Sequence, residues 1–320
     1  MKDLAFLDFL DEKIDLVEGT MLSGSERFHP DLKAALVHLL SSGGKRLRPK
    51  VALLVGSLLD ADQEQLINLG AAIEMLHTAT LVHDDLIDGA LLRRGNPTLN
   101  SNWTPAATVL TGDFIFARAA FLAAEVGSPE VTCLFAETLS TIVNGEITQL
   151  FDRHQITEQE TYYRWIYEKT GSMFVLAAKA SAILGTADEG LIQAAQDYGR
   201  EIGKAFQIVD DILDFTGETS RVGKPVGNDL RQGVITLPAL YFMDLHPQDN
   251  DLRDILAGKI TSQRIETLVG KIKHSGVIQR ALEDAVQCSE QAVEHLNGFP
   301  PGRSRDALIQ LSRYIVQRDL

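Results

Sequence analysis

Apolar residues return every three to four positions along most of this chain, as over residues 191–215, which is the beat of helices that keep one face against a core. Runs of period two and hairpin turn signals are missing, so the pattern predicts an all-α protein of about ten helices or more. Several helix starts are marked. Thr157 with Glu160 and Thr186 with Glu189 have capping-box spacing. Thr104-Pro105 and Ser128-Pro129 each place a capping hydroxyl before a proline suited to the first turn. Residues 66–82 are apolar on nearly every side, which predicts a helix enclosed by others. The broken stretches are 89–102, 217–233, 246–251 and 297–305. No linker, repeat or change of composition divides the chain, so these read as loops of a single domain over 1–320.

Composition narrows the class. A chain of 320 residues that is 45% hydrophobic has ample material for a core. Its 30 Lys and Arg against 44 Asp and Glu leave a net charge of −14, which argues against a nucleic-acid partner. Two cysteines, Cys133 and Cys288, make no framework or CxxC pair, and this fits a reducing, cytoplasmic setting. Acids interrupt the amino-terminal stretch, unlike a signal peptide. No apolar run approaches a membrane span; residues 51–59 are already interrupted by Gly56 and closed by Asp60. No membrane anchor is expected.

Two acidic segments stand out. The first, Leu81-Val82-His83-Asp84-Asp85-Leu86-Ile87-Asp88, ends the enclosed helix, and Asp84 and Asp88 share one face, a turn apart. Acids there lie at the negative end of the helix dipole, so a compensating cation is expected. The second, Phe206-Gln207-Ile208-Val209-Asp210-Asp211-Ile212-Leu213-Asp214, repeats the spacing 126 residues later. One such motif alone reads most simply as a solvated acidic face. Two, each inside an apolar helix, do not. Oxygen ligands one turn apart suit a hard cation, Mg²⁺ in particular, which fills its shell with water and phosphate oxygens.

The cations are clustered as well. Gly43-Gly44-Lys45-Arg46-Leu47-Arg48-Pro49 precedes a helix, and Leu91-Leu92-Arg93-Arg94-Gly95 follows the first acid motif. Glu168-Lys169-Thr170-Gly171 and Gly223-Lys224-Pro225-Val226-Gly227-Asn228-Asp229 supply two more. In so acidic a chain, cations beside glycines suggest phosphate cradles, with Arg as a fork and Lys as a point charge. Singly, each reads as a surface charge. Together with two cation-type acid motifs they suit a site for two diphosphates.

In this order, GGKRLRP, HDDLID with LLRRG, EKTGSMF, FQIVDDILD and GKPVGNDL resemble the trans-isoprenyl diphosphate synthases, or polyprenyl synthetases, over roughly residues 43–238. No metal or diphosphate position departs from the family pattern. The resemblance implies a helical isoprenoid-synthase bundle around a deep central cavity on which six acids converge. It implies Mg²⁺, three ions per active site, with Asp84, Asp88 and Asp210 as metal ligands. Asp85, Asp211 and Asp214 would support them, and with Lys169 these acids make up the catalytic group. Arg93, Lys169, Thr170, Gln207 and Lys224 match positions that hold the allylic diphosphate. Lys45, Arg48, His77 and Arg94 match those that hold isopentenyl diphosphate. The reaction implied is head-to-tail (1'-4) condensation through an allylic carbocation, by a homodimer whose interface residues 114–126 would supply. His83 reads as a structural hydrogen-bonding residue rather than a proton carrier.

Product length is set by what meets the growing tail. In short-chain members bulky aromatics stand four and five residues before the first aspartate; here those residues are Thr80 and Ala79. With Leu76 further down, the upper tunnel reads as open. Phe135, on a helix expected over 130–151, is the candidate floor, with Leu76, Phe116 and Ile142 as neighbours, and an ordinary core aromatic is the equal alternative. A hexaprenyl to decaprenyl product is expected, with farnesyl or geranylgeranyl synthase as the alternative. A class I terpene cyclase fits less well, because its second metal motif differs from DDILD and it has no use for GGKRLRP. A non-catalytic subunit of a heteromeric synthase would have lost motif residues.

Overall fold

The computed structural model describes residues 2–93, 95–155, 158–217 and 226–318. Thr157, Arg94 and Lys224 lie outside the described residues. The fold is all-α. In chain order the helices are α1 (Asp11–Leu22), α2 (Pro30–Ser41), α3 (Leu47–Leu58), α4 (Gln63–Ile87), α5 (Leu99–Asn102) and α6 (Pro105–Glu125). Next come α7 (Pro129–Phe151), α8 (Gln159–Ile166), α9 (Ser172–Gly185) and α10 (Glu189–Thr216). The last are α11 (Asn228–Arg231), α12 (Leu237–Leu245), α13 (Asn250–Leu256), α14 (Ser262–His274), α15 (Val277–His295) and α16 (Arg303–Gln317).

The chain forms two compact units. The first comprises Met1–Leu139, Met173–Gly199 and His295–Gln310. Its centre is α4, which packs on α1, α3 and α6. Leu69, Ala71, Ala72, Ile73, Met75, Leu76 and Ala79 are all fully buried, so this helix is enclosed as its all-round apolar sequence predicts. A buried Leu or Ile of this kind contributes about 1.5–3 kcal/mol. The buried face of α6 mixes small and large residues, and at Gly112 a Cβ would stand 2.1 Å from His83 Nε2, so only glycine admits this ring. At Gly199 a Cβ would come 2.6 Å from the Phe174 carbonyl oxygen, which lets α9 and α10 lie close.

The second unit comprises Ser140–Ser172, Arg200–Glu294 and Leu311–Leu320. Its buried residues include Tyr162, Trp165 and Ile166 from α8, Ile208, Val209, Ile212 and Phe215 from α10, and Ile265, Leu268 and Ile272 from α14. Between α8 and α9 the backbone widens into a single π turn, Tyr167–Gly171.

The local signals fare unevenly. Thr104 Oγ1 accepts from Ala107 N at 3.3 Å and Ser128 Oγ from Val131 N at 3.3 Å, as their spacing predicts. Before α10, by contrast, the cap is Asp188, whose Oδ1 accepts from Gly190 N and Leu191 N, while Thr186 Oγ1 accepts only from Asp188 N. A carboxylate directly before the first turn outcompetes a hydroxyl two residues earlier. The stretch 89–102 is no plain loop. It holds a two-residue hairpin, Leu92–Arg93 (β1) against Asn96–Pro97 (β2), turned through Gly95 at φ +80°. The strands are too short to show period two. Finally, α6 is long and apolar enough to cross a membrane by length and composition, contrary to the sequence reading. Its charges are few, and in this fold its inner residues Thr108, Thr111, Ile115, Ala119 and Leu122 are buried.

Candidate active site

In the first unit the acid motif closes α4. Asp85 is buried, and its carboxylate is held by Arg93, with Nε 3.0 and 2.9 Å from the two oxygens and Nη2 2.8 Å from Oδ1. This bidentate fork is the cation that the helix end requires. Asp84 and Asp88 are half-buried, so the outer two acids of the motif are the more open ones. Next to them, His83 Nε2 lies 3.2 Å from the Val109 carbonyl and 3.6 Å from Asp113 Oδ1, with its ring against Phe116. This is a structural setting.

The three cations of the glycine-rich motif separate by role. Arg46, in a left-handed conformation at φ +49°, has a side chain only 9% exposed and is engaged by Glu18 at 2.8 Å, Glu74 at 3.0 Å and the Leu40 carbonyl at 2.9 Å. Glu74 is itself buried, on α4. That clamp turns the chain so that exposed Lys45 and half-buried Arg48 flank it, and the Arg48 guanidinium lies 4.9 Å from the centre of the Phe174 ring. His77 is half-buried on α4.

In the second unit the π turn brings Lys169 and Thr170 onto adjoining positions. A Cβ at Gly145 would be 2.6 Å from Glu168 Cβ, so α7 supports the turn from behind. Lys169 Nζ lies 2.6 Å from Glu146 Oε1 and 3.2 Å from Gln149 Oε1. Thr170 Oγ1 donates to Gln207 Oε1 at 2.6 Å, and Gln207 Nε2 donates to Asp211 Oδ1 at 2.8 Å. The other Asp211 oxygen accepts from Tyr162 Oη at 2.7 Å. Asp211 is fully enclosed, and burial pushes its carboxyl up to about 7, against the lowering effect of the Gln207 and Tyr162 bonds. Asp214 is turned to local use, accepting from the backbone of Asn228 and Asp229 at the start of α11. Asp210 stays half-buried, with Arg318 on its Oδ1.

The two motifs are therefore built alike. In each the middle aspartate is buried and saturated by protein, by Arg93 or by Tyr162 and Gln207, and its neighbour, Asp84 or Asp210, is more open. Tyr162, Glu74 and Arg318 escape the sequence reading, which also takes Arg46 as one cation of a phosphate cradle where the structure ties it to Glu18 and Glu74. Tyr162 carries one faint signal, its i, i+3, i+4 spacing with Trp165 and Ile166. Among the described residues no three acid, histidine or cysteine side chains gather into a ready metal cage. Mg²⁺ does not need one: one or two carboxylates with water and phosphate oxygens suffice, and the open acids are all oxygen donors. Of the residues tied to product length, Leu76 and Ala79 are wholly buried, Phe135 is 3% exposed, and half-buried Thr80 donates to the His77 carbonyl. Both cysteines are free thiols.

Residues 29–272 match the family described as Polyprenyl synthetase. The chain is 34% identical over 319 residues to heptaprenyl diphosphate synthase component 2 of Bacillus subtilis (strain 168), covering 99% of this chain and 91% of that one. With octaprenyl diphosphate synthase of Escherichia coli (strain K12) the identity is 36% over 286 residues, 88% of each chain. The structure of polyprenyl synthase from Caulobacter crescentus CB15, complexed with calcium and isoprenyl diphosphate, is similar at a TM-score of 0.93 and 33% identity, covering 98% of this chain and 97% of that one.

Proposed function

This chain belongs to the polyprenyl synthetase family, and from that premise we propose that it is an all-trans polyprenyl diphosphate synthase making a product longer than geranylgeranyl diphosphate. It is a prenyltransferase, and its substrates are isoprenyl diphosphates. The observation that supports the synthase reading is the repeated design of the acid motifs, a saturated middle aspartate beside more open neighbours, and the longer product is read from the small residues Ala79 and Thr80.

Asp84, Asp88 and Asp210 are the metal ligands in this reading. Bound Mg²⁺, three ions per site, supplies positive charge to the leaving diphosphate. Lys169 exchanges its partners Glu146 and Gln149 for the allylic diphosphate, and Arg93 and Lys224 add to that hold. Lys45, Arg48, His77 and Arg94 hold isopentenyl diphosphate. The allylic C–O bond breaks with its electron pair going to diphosphate, and the double bond of isopentenyl diphosphate attacks the resulting cation. Positioning of the two reactants supplies much of the acceleration. The oxygens of Thr170 and Gln207 face the developing positive charge. The proton lost after carbon–carbon bond formation goes to the departed diphosphate, since none of the residues assigned here is a suitable base. Water is excluded, because it would quench the cation to an alcohol.

Small Ala79 and Thr80 leave room for a long tail along α4, with Phe135 as the floor. The chain acts as one catalytic domain and as a homodimer through the outer face of α6, where Leu110 is 66% and Phe121 50% exposed. The cytoplasm is its compartment. Incubation of the purified chain with farnesyl diphosphate, with and without isopentenyl diphosphate, tests the reading. Elongated products beyond twenty carbons are expected only when both are present. Hydrocarbon from the allylic substrate alone indicates a cyclase, and inactivity rescued by a second protein indicates one component of a heteromeric synthase.

A further inference from the structure

Arg318, which follows α16 directly, has no part in the roles assigned above, yet its side chain is only 7% exposed and is docked on α10 at three points. Nη2 lies 2.5 Å from Asp210 Oδ1 and 2.8 Å from the carbonyl oxygen of Phe206. The guanidinium carbon stands 3.8 Å from the centre of the Phe206 ring. Phe206 and Asp210 are four apart, so ring, carbonyl and carboxylate form one helix face. The Asp210 side chain is 42% exposed, so the cation is the buried partner and the acid the open one. An ordinary surface ion pair joins two mobile side chains in water. Here the ring and the carbonyl fix the guanidinium, and the same nitrogen, Nη2, that meets the carbonyl also holds one oxygen of the carboxylate.

We propose that Arg318 is a positioning residue for the second acid motif: it clamps Asp210 Oδ1 and so presents Oδ2 to a divalent cation. The proposal rests on the reading of Asp210 as a metal ligand. Hydrogen bonds that orient a ligating side chain characteristically change metal affinity by about 10- to 100-fold when they are lost. Lysine in the same place keeps the charge and loses the planar group that lies on the Phe206 ring, so it restores the function only in part.

The test is Mn²⁺ binding followed by electron paramagnetic resonance in the presence of inorganic pyrophosphate, with no turnover. Asp210→Asn identifies the class of bound Mn²⁺ that depends on this acid. Arg318→Gln should weaken that class by about tenfold or more, and Arg318→Lys by less. Phe206→Leu, which removes the ring and leaves the arginine, should shift it in the same direction and guards against a misfolded Arg318→Gln. The Mg²⁺ concentration for half-maximal activity should rise in parallel. If Asp210→Asn weakens binding while the Arg318 and Phe206 variants bind Mn²⁺ as well as or better than wild type, the clamp is wrong and the ligand reading stands. If Asp210→Asn itself binds normally, both fall.

Discussion

The hydroxyl of Tyr162 donates to Asp211 Oδ2 at 2.7 Å, joining α8 to the middle acid of the second motif inside the fold. With Gln207 on the other oxygen, it fixes a carboxylate that would otherwise be buried without partners. Tyr162→Phe removes the donor and leaves the oxygen enclosed, so a loss of about 1–3 kcal/mol in stability is expected. Denaturant unfolding measures it, and a change within error would show that the bond contributes nothing.

Burial of Asp211 also sets a pH dependence. Its folded value, about 7, lies above the ordinary carboxylate value, so the native state holds a proton that the unfolded chain has already released. This group therefore stabilises least at high pH: its contribution is fully present below about pH 4 and is lost as pH rises toward 7. In metal-free protein, Asp211→Asn should flatten the stability profile over that window. Profiles that run parallel for the two proteins would contradict it.

Arg46 and Lys45 are neighbours in one basic motif with opposite surroundings. Arg46→Ala strands Glu74 in the interior and should cost about 3–5 kcal/mol. Lys45→Ala, at an exposed position, should change stability by less than about 0.5 kcal/mol while raising the Michaelis constant for isopentenyl diphosphate. Melting temperatures and steady-state kinetics on the two variants separate the roles.

How much of this is legible in the sequence depends on the range of the interaction. The enclosed helix α4, the caps at Thr104 and Ser128 and the two acid motifs follow from spacing alone, because helix periodicity and capping are local. The cap at Asp188 is missed because two good capping residues stand two positions apart and only the helix start decides between them. The pairing of Leu92–Arg93 with Asn96–Pro97 escapes because its strands are too short for a period. Arg46 with Glu74, and Tyr162 with Asp211, are pairs distant in sequence, and nothing local in either partner names the other. The membrane-like composition of α6 has two sources, the apolar residues it packs against α4 and the exposed Leu110 and Phe121 of its outer face.

The proposed path of the tail along α4 makes product length depend on the residues before the first acid motif. Ala79→Tyr, at a fully buried position, should shorten the product, and unchanged chromatograms would remove α4 as the path of the tail. Phe135→Ala should lengthen it by at least one isoprene unit. An unaltered product would leave Phe135 as a core aromatic.

The most direct test of the account is the rate at which isopentenyl diphosphate is incorporated by the purified chain, measured in chelator and again after Mg²⁺ is restored. The account predicts loss of about a thousandfold or more in chelator, recovery with Mg²⁺, and no recovery in Asp84→Asn. Full turnover in chelator would contradict it.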